Sequence, residues 1–442
     1  MDFFHYENGE LYCEEYRVAD VAEVVSTPFY LYSHRTMVDH YRKLDRALES
    51  VDHLICFSLK SNSNLAVCRA LANEGAGADV VSGGELYKAL KAGILPKNIV
   101  FAGVGKTEAE IEYGLRSDIL MFNVESMSEA DVINRVAGRL GKKAKVALRV
   151  NPDVDADTHR HITTGKKESK FGLEIDLAVK FFTEAAAMPN LEVVGIHAHI
   201  GSQIVSTAPY VEFISKLVEL VADVRSVGIN IETLNVGGGL GIIYREEKPS
   251  TAQEFAEAVL PLVKPTGCRF ILEPGRFIVG NAGILVTRVI YVKPSGSKTF
   301  VIVDAGMNDL IRPALYESYH AIQPVSGGTR RQGDAGKREE MVADIVGPIC
   351  EPADCFARAR KIPVVQEGDL LAVFSAGAYG FVMSSNYNSR PRMSEVMVIG
   401  DRHFIVRKRE TYEDLIRGET IPEELLQPDA GRMPALESEP VL

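Results

Sequence analysis

The stretch LICFSLKSN (54–62) is an apolar run that ends on a lysine and passes into a polar turn. Continuous apolar runs of this length are typical of strands buried on both faces, as in parallel sheets. A lysine at the carboxyl end of such a strand usually reaches the surface with its long side chain. In an α/β protein it can instead be an amine held over a pocket, and the rest of the sequence decides between these interpretations.

Seven more apolar runs follow before residue 280, and stretches with helical periodicity, such as 64–75 and 209–228, lie between the runs. The seven are ADVVSGG (78–84), IVFAGVGK (99–106), ILMFNVES (119–126), KVALRVNP (145–152), VVGIHAHIGS (193–202), TLNVGGGLG (233–241) and RFILEPGR (269–276). Eight apolar runs alternating with helices over about 220 residues predict an α/β fold, the (β/α)8 TIM barrel. A doubly wound open sheet is the alternative, and we prefer the barrel.

After residue 280 the sequence changes to β-prone runs without helices of comparable length between them. These runs are 283–293, 298–306, 340–350, 369–380 and 394–410. The segment EVVSTPFYLYS (23–33) is also β-prone and can join their sheet. The polar, glycine-rich stretch 326–340 is predicted to be an exposed hairpin connection. We predict three parts: a barrel domain over 30–280, a C-terminal β domain over 281–415 joined by strands from 1–29, and a tail over 416–442.

Composition excludes several classes of partner. The 442 residues carry a formal net charge of −11, which argues against nucleic acid or an anionic membrane as the partner. The six cysteines show no spacing of paired metal ligands, so we expect free thiols, no metal site and no structural disulfide. The N-terminus lacks the features of a secretory signal, and no apolar run approaches the roughly 20 residues of a membrane helix. We therefore expect a soluble, cytoplasmic protein.

The strand ends of a barrel converge on one mouth, where active sites lie. The predicted ends supply Lys60, His199, Ser202, Gly237, Gly238, Gly239, Glu273, Gly275 and Arg276. A triple glycine lets backbone N–H groups approach an anion closely, and the loops after strands seven and eight of a barrel commonly bind phosphate. The mouth therefore combines a phosphate site with an amine, an acid and a histidine.

This combination indicates pyridoxal 5′-phosphate as the cofactor. Lys60 would bind it covalently, which a desolvated and partly deprotonated amine favours. Glu273 would face the pyridine nitrogen and keep it protonated. His199 would stack on the ring. His197 lies on the same strand with its side chain on the same face, and we choose His199 because it is nearer the strand end.

Six motifs carry a resemblance to a known family. They are FSLKSN (57–62), HAHIGSQ (197–203), NVGGGLG (235–241), EPGR (273–276), CEPAD (350–354) and GAYGFVMSSNYNSRPR (377–392). In this order the chain resembles the fold-type III pyridoxal-phosphate decarboxylases over residues about 25 to 410. The resemblance implies an alanine-racemase-like barrel with a β domain. It also implies a head-to-tail homodimer with active sites at the subunit interface.

Position by position, the resemblance assigns expected roles. Lys60 matches the lysine that carries the cofactor, His199 the ring-stacking histidine, and Tyr379 a tyrosine near the cofactor phosphate. The expected cofactor-binding residues are Lys60, His199, Ser202, Gly237, Gly238, Gly239, Glu273, Pro274, Gly275, Arg276 and Tyr379. Cys350 and Glu351 match a pair that the neighbouring subunit contributes. The expected substrate-binding residues are Arg276, Arg312, Tyr316, Glu351 and Tyr379.

The two arginines point to the substrate. Arg312 and Tyr316 are four residues apart and share a face if this stretch is helical. Together Arg276 and Arg312 would bind a carboxylate, whereas a substrate whose distal end is only an ammonium group would be repelled. A substrate with both groups at its distal end needs the arginines and an acid, for which Glu351 is available. Meso-2,6-diaminopimelate is a small amino acid that carries both a carboxylate and an ammonium group at its distal end.

We therefore expect a carboxy-lyase that converts meso-2,6-diaminopimelate to L-lysine and carbon dioxide, the last step of lysine biosynthesis. Cys350 would deliver a proton as general acid, and Lys60 would release the product. The alternatives are a decarboxylase of ornithine, lysine or arginine type, and a non-catalytic cofactor-binding regulator on the same scaffold. An isomerase resembling alanine racemase is disfavoured by Glu273, because that chemistry uses a basic residue at the pyridine nitrogen.

Overall fold

The computed structural model describes residues 2–154, 171–327 and 339–425. The predicted hairpin connection at 326–340 lies almost wholly outside the described residues, as does the predicted tail from residue 426 onward. Each of the six cysteines is free. None of the described helices is both long and apolar enough to cross a membrane.

The chain begins with a small antiparallel sheet of three strands. The N-terminal elements are β1 (Phe4–Glu7), β2 (Glu10–Cys13), β3 (Tyr16–Arg17), α1 (Val18–Val24), β4 (Phe29–Ser33) and α2 (His34–Ala47). The side chain of Ser33 accepts a hydrogen bond from the backbone N–H of Thr36 and so caps the start of α2. Strand β4 leaves this region and joins the C-terminal sheet.

Eight parallel strands form a closed barrel, which confirms the predicted fold. The strands of this region are β5 (His53–Ser58), β6 (Gly77–Val80), β7 (Ile99–Phe101), β8 (Met121–Val124), β9 (Ala144–Asn151), β10 (Leu173–Glu174), β11 (Leu191–His197), β12 (Thr233–Asn235) and β13 (Arg269–Leu272). The two-residue strand β10 is not one of the eight barrel strands, and it pairs with β9. Because β13 pairs with β5 and β8 pairs with β9, the sheet closes on itself, which an open doubly wound sheet does not do.

Helices surround the barrel strands. They are α3 (Leu65–Asn73), α4 (Gly83–Lys91), α5 (Glu108–Arg116), α6 (Met127–Arg139), α7 (Ala178–Ala186), α8 (Ala208–Ser226) and α9 (Ala252–Val263), with short 3-10 helices at Leu59–Ser61, Pro96–Asn98, Ile175–Leu177 and Lys264–Thr266. Helices α3 and α8 confirm the helical periodicity of 64–75 and 209–228. Capping boxes at Thr107 and Thr251 fix where α5 and α9 begin.

The C-terminal part is a second sheet. Its elements are α10 (Arg276–Val279), β14 (Gly283–Ser295), β15 (Lys298–Val303), α11 (Arg312–Tyr316), β16 (Ile322–Pro324), β17 (Glu340–Val346), β18 (Cys355–Pro363), β19 (Leu370–Val373), β20 (Ser394–Ile399), β21 (Arg402–Arg407) and α12 (Tyr412–Leu415), with 3-10 helices at Phe381–Met383, Tyr387–Ser389 and Glu423–Leu425. Strand β4 lies between β14 and β20, which confirms that the N-terminal segment joins this sheet. The predicted domain boundaries remain a prediction.

Buried hydrogen bonds around β4 and Glu395 of β20 connect the second sheet to the barrel. Tyr30 and Tyr32 are 0% and 1% exposed. The Tyr30 hydroxyl donates to the carbonyl oxygen of Asp309 (2.8 Å), and that of Tyr32 donates to Glu395 Oε1 (2.8 Å). The other Glu395 oxygen accepts from Asn64, which caps α3 (2.9 Å). The second sheet is therefore fixed against the carboxyl end of the first barrel strand, where the predicted site begins.

Candidate active site

Lys60 lies in the 3-10 turn directly after β5 and pairs with Asp79 of β6. Its Nζ is 2.9 Å from Asp79 Oδ2, and the Ser58 hydroxyl donates to the same oxygen. Asp79 is completely buried, and its Oδ1 has no hydrogen-bond partner within the described structure. Sequence analysis missed Asp79, although an acid inside the apolar run ADVVSGG was the available signal.

The ionisation of Lys60 differs from the sequence expectation of a partly deprotonated amine. Burial alone lowers its pKa, but the Asp79 carboxylate and, more weakly, the Glu273 carboxylate reverse the direction and raise the pKa above its ordinary value. The amine therefore stays protonated in the protein without cofactor. The expectation was wrong because it placed Lys60 in an apolar pocket without its acidic neighbour.

The Asp79→Asn variant should shift the pH dependence of cofactor attachment. Only the neutral amine attacks an aldehyde, so attachment to the parent should speed up as the pH rises towards the raised pKa of Lys60. Removing the Asp79 charge lowers that pKa, so the variant's curve should lie at lower pH. The growth of visible absorbance after mixing cofactor-free protein with pyridoxal phosphate, from about pH 6 to 9, measures this.

A matched control is Asp344→Asn, which breaks another aspartate–lysine pair, with Lys298 (3.0 Å), in the second sheet. Its attachment curve should coincide with that of the parent. Superimposable curves for the parent and Asp79→Asn would mean that Asp79 does not govern the ionisation of Lys60.

Glu273, directly after β13, is held by side chains from three other barrel strands, β8, β11 and β12. Its Oε1 accepts from Asn123 Nδ2 (3.0 Å) and Asn235 Nδ2 (2.7 Å), and its Oε2 lies 3.3 Å from His197 Nε2. Burial raises the pKa of Glu273, but His197, Lys60 and the amide of Asn235 outweigh it and hold the pKa well below the usual range. The carboxylate is therefore ionised and can stabilise a neighbouring proton-bearing nitrogen.

The two histidines of HAHIGSQ (197–203) have different hydrogen-bond partners. His197 contacts Glu273, whereas Nδ1 of His199 lies 3.3 Å from the backbone nitrogen of Gly238 and accepts its hydrogen. Burial, together with the charge of Lys60, lowers the pKa of His199 well below its ordinary value, so its ring is neutral. A neutral imidazole beside the loop after β12 suits stacking on a heteroaromatic ring.

The glycines bring this loop into close contact with its neighbours. A Cβ on Gly237 would lie 2.8 Å from the Cβ of His199, and one on Gly238 would lie 2.2 Å from the carbonyl oxygen of Glu273. Gly239 has φ +103°, and its added Cβ would lie 2.5 Å from the carbonyl oxygen of Gly201. Glycine is therefore required at all three positions.

The segment EPGR makes a similar close approach to the lysine turn. The Pro274 carbonyl oxygen accepts from the backbone nitrogen of Ser58 (3.1 Å), and a Cβ on Gly275 would lie 2.9 Å from the side chain of Ser61. Tyr379 donates its backbone N–H to the Ser61 carbonyl oxygen (2.8 Å). These contacts hold the turn that carries Lys60 between the last barrel strand and the second sheet.

A cavity of about 440 Å³ opens beside His199. It is lined by His199, Ser202, Gln203, Tyr244, Glu247, Arg276, Arg312, Tyr316, Glu317, Ser318, Tyr319, Tyr379 and Met383. It brings together the predicted Ser202, Arg276, Arg312, Tyr316 and Tyr379. The lining does not include Lys60 or Glu273.

The two arginines of this cavity are buried and share one partner. Arg276 and Arg312 are 7% and 6% exposed. Arg276 donates to the hydroxyls of Ser202 (Nη2, 3.2 Å) and Tyr244, and Arg312 donates to those of Tyr244 (2.6 Å) and Ser318 (3.2 Å). These partners are neutral, so none of them balances either positive charge. Sequence analysis missed Tyr244, because a tyrosine in a loop carries no motif of its own.

Cys350 and Glu351 are apart from this group within the chain. They lie in the loop between β17 and β18, where Cys350 is exposed. The backbone N–H of Cys350 donates to Asn388 Oδ1 (2.8 Å), and Glu351 Oε2 accepts from the Tyr387 hydroxyl (3.5 Å). Neither residue lines the cavity. Their predicted contribution to a neighbouring subunit remains a prediction.

The residues at the mouth fit pyridoxal phosphate. An amine for covalent attachment, an ionised acid and a neutral imidazole come from the ends of β5, β13 and β11. The loop after β12 has no room for a side chain at its glycines, so a phosphate can approach its backbone closely, although the N–H groups of Gly237 and Gly238 already donate to Asn235 Oδ1 and His199 Nδ1. No cluster of metal-ligating side chains occurs in the described parts of the chain.

The closed barrel, its mouth lysine and the buried acid at the last strand define a pyridoxal-phosphate enzyme. The family model of the pyridoxal-dependent decarboxylases, pyridoxal binding domain, matches residues 34–280. The chain is 49% identical to the diaminopimelate decarboxylase of Aquifex aeolicus over 415 residues, covering 94% of this chain and 96% of that one. It is 48% identical to that of Vibrio cholerae, covering 94% and 98%.

A solved structure gives the same result. The crystal structure of diaminopimelate decarboxylase from Helicobacter pylori complexed with L-lysine has a TM-score of 0.86 and 41% identity, covering 90% of this chain and 98% of that one. The chain belongs to the pyridoxal-dependent decarboxylases and, within them, to the diaminopimelate decarboxylase family. It is a carboxy-lyase that uses pyridoxal phosphate.

Proposed function

We propose that this protein decarboxylates meso-2,6-diaminopimelate to L-lysine and carbon dioxide in the cytoplasm, as the last step of lysine biosynthesis. The observation that carries the proposal is the pair of buried guanidiniums, Arg276 and Arg312, whose described partners are neutral hydroxyls. Two buried positive charges favour an anionic ligand between them, and a carboxylate matches guanidinium geometry. Burial, with the like charge of Arg276, lowers the pKa of Arg312, and an anion bound beside it would favour its charged form.

The same pair disfavours the alternative substrates. In ornithine or lysine, the end far from the reacting carbon carries an ammonium group alone, and two guanidiniums repel it. The distal end of diaminopimelate carries a carboxylate that the arginines can bind. The 440 Å³ cavity beside His199 has room for that end of the substrate. A non-catalytic regulator needs no such carboxylate site.

Each mouth residue has a proposed task. When bound, pyridoxal phosphate supplies the electron sink that accepts the electron pair left by the departing carboxylate. Lys60 holds the cofactor and later releases the product, and Asp79 lies within 2.9 Å to hold the amine's proton. Glu273 would keep a proton on the ring nitrogen of the bound cofactor, and His199 would cover one face of its ring. Ser202 and the backbone of 237–239, with Pro274 and Gly275 fixing the adjacent turn, hold the phosphate.

We propose a homodimer in which Cys350 and Glu351 of the partner subunit complete each site. Cys350 delivers a proton to the reacting carbon, and Glu351 accepts hydrogen bonds from the distal ammonium of the substrate. Their position on the loop between β17 and β18, outside the cavity of their own chain, and the exposure of Cys350 support this proposal. Tyr316 and Tyr379 complete the substrate cavity.

Product analysis tests the reaction directly. The purified protein with pyridoxal phosphate should release carbon dioxide and L-lysine from meso-diaminopimelate. Parallel incubations with ornithine, lysine and arginine should release little. Preferential release from one of those amino acids would establish the other decarboxylase, and no release from any of them would favour the regulator.

Mixing two inactive variants tests the shared site. Lys60→Ala lacks the cofactor lysine, and Cys350→Ala lacks the proton donor. In a twofold-symmetric dimer, random subunit exchange gives half mixed dimers with one intact site each, so activity should recover to about a quarter of the parent's. Activity is measured after subunit exchange and compared with each variant alone.

The control pairs Lys60→Ala with Glu273→Gln. Both residues belong to the barrel of one chain, so no mixed dimer contains a complete site and activity should stay absent. If the first mixture also stays inactive after demonstrated exchange, each site is built from one chain and the shared-site proposal is wrong.

A further inference from the structure

Tyr244 connects the two arginines of the cavity. Its hydroxyl oxygen accepts a hydrogen bond from Nη1 of Arg276 and one from Nη1 of Arg312 (2.6 Å). Its ring centre lies 5.7 Å and 5.0 Å from the two guanidinium carbons. The phenol therefore interacts with both cations through its oxygen and its π face, which offsets part of their repulsion.

The loop that carries Tyr244 is fixed from both sides. Gln203 donates to the carbonyl oxygen of Ile242 (2.7 Å) and accepts from its backbone N–H (3.1 Å). Glu247 Oε2 accepts from the backbone N–H groups of Tyr244 (2.9 Å) and Arg245 (2.7 Å). The ring itself packs edge-on against the buried His320, with ring centres 5.5 Å apart. The phenol is thus positioned before any ligand arrives.

The hydrogen bonds from the two arginines leave the hydroxyl proton of Tyr244 available to a ligand. Guanidinium nitrogens are donors only, so both arginines use the oxygen lone pairs of the Tyr244 hydroxyl. The hydroxyl proton is the group that these two contacts do not use. The hydroxyl lies between two cationic donors, so the complement of its proton is an anionic acceptor placed between the arginines.

We propose that Tyr244 determines specificity for the distal carboxylate of the substrate. Its hydroxyl orients Arg276 and Arg312 and donates its own hydrogen bond to a carboxylate oxygen, as a third arm of the site. This inference rests on the proposed function, because it takes that carboxylate as the ligand. L-lysine, the product, keeps the carboxylate, whereas cadaverine has the same amine chain without it.

The test compares these two ligands in the Tyr244→Phe variant of the cofactor-loaded enzyme. The variant keeps the ring and removes the hydroxyl. Loss of one hydrogen bond to a charged group should weaken L-lysine binding by about 10-fold to 100-fold. Cadaverine affinity should change by less than about twofold, because cadaverine makes no such bond. Calorimetry measures both affinities, and KM for diaminopimelate should rise more than kcat falls.

Tyr6→Phe is the matched control. The Tyr6 hydroxyl donates to the carbonyl oxygen of Pro324 (2.6 Å), outside the cavity lining. This variant should bind both ligands as the parent does. Unchanged L-lysine affinity in Tyr244→Phe, or equal weakening of both ligands, would overturn the proposal, the latter because it indicates only a loosened cavity.

The activity of the parent enzyme distinguishes a failure of the proposed function from a failure of the role proposed for Tyr244. If it does not decarboxylate diaminopimelate, the proposed function fails and the role of Tyr244 fails with it. If the parent is active and Tyr244→Phe binds L-lysine normally, only the role of Tyr244 is wrong. Visible absorbance and the melting temperature of each variant show that fold and cofactor are retained; if Tyr244→Phe does not fold, Glu247→Gln, which loosens the loop, should weaken L-lysine selectively.

Discussion

Lys60→Ala should abolish both cofactor attachment and turnover. Lys60 is the amine at the mouth that lies within 2.9 Å of the buried Asp79, and covalent attachment of pyridoxal phosphate requires an amine. The variant should lack the visible absorbance of lysine-bound cofactor, and kcat should fall by about a thousandfold or more. Absorption spectra of the purified protein and release of carbon dioxide measure the two effects.

Two controls separate covalent chemistry from charge. Lys60→Arg keeps the positive charge beside Asp79 but cannot attach the cofactor, so it should fail as Lys60→Ala does. Lys88→Ala removes a neighbouring half-buried lysine, which donates to the Ser63 hydroxyl (2.9 Å), and should keep the absorbance. A parent-like spectrum and full turnover in Lys60→Ala would contradict the assignment of the cofactor lysine.

The barrel was predictable because burial on both faces leaves a direct mark on the sequence. Each of its eight strands lies in a mostly apolar run, and helical periodicity separates the runs. Strand β18 (Cys355–Pro363) was not predicted. Its sequence, CFARARKIP, alternates apolar and basic residues, and several of its side chains are exposed, so it has no apolar run to detect.

The site was predictable where glycine and strand ends coincide, and less so where side chains meet across strands. Arg276, Arg312, Tyr316 and Tyr379 line one cavity, and their expected role in substrate binding remains a prediction. Asp79 was missed because its role depends on the pairing of β5 with β6, which places it against Lys60. Tyr244 was missed because only the fold brings its loop between two arginines from different segments.

The missed contact with Asp79 also explains why the ionisation of Lys60 was predicted wrongly. Sequence reasoning placed Lys60 in a desolvating pocket, and burial does lower its pKa. The nearest carboxylate outweighs burial, because a buried charge pair at hydrogen-bond distance interacts strongly in a medium of low polarity. The pairing of β5 with β6 therefore reverses the predicted direction of the Lys60 pKa shift. The sequence alone does not reveal which strands pair and so does not place Asp79 beside Lys60.

Arg312→Ala should cut kcat/KM for diaminopimelate by about 30-fold to several thousandfold. Arg312 is 6% exposed, and the described partners of its guanidinium are the neutral hydroxyls of Tyr244 and Ser318. Removing one arm of a charged pair in a water-poor cavity costs roughly 2–5 kcal/mol. Cofactor absorbance should be nearly unchanged, because Arg312 lies outside the mouth segments that hold Lys60 and the phosphate loop.

Arg225→Ala is the control for losing an arginine that makes hydrogen bonds elsewhere in the barrel. Its guanidinium donates to the carbonyl oxygen of Thr266 (2.7 Å) outside the cavity lining, so its loss should lower the melting temperature and leave kcat/KM within about twofold. Activity of Arg312→Ala on lysine should stay negligible or rise slightly, because a repulsive cation is gone. If Arg312→Ala decarboxylates diaminopimelate as well as the parent does, the distal carboxylate is not held by this pair. The choice of substrate would then rest on family membership rather than on the charges of the cavity.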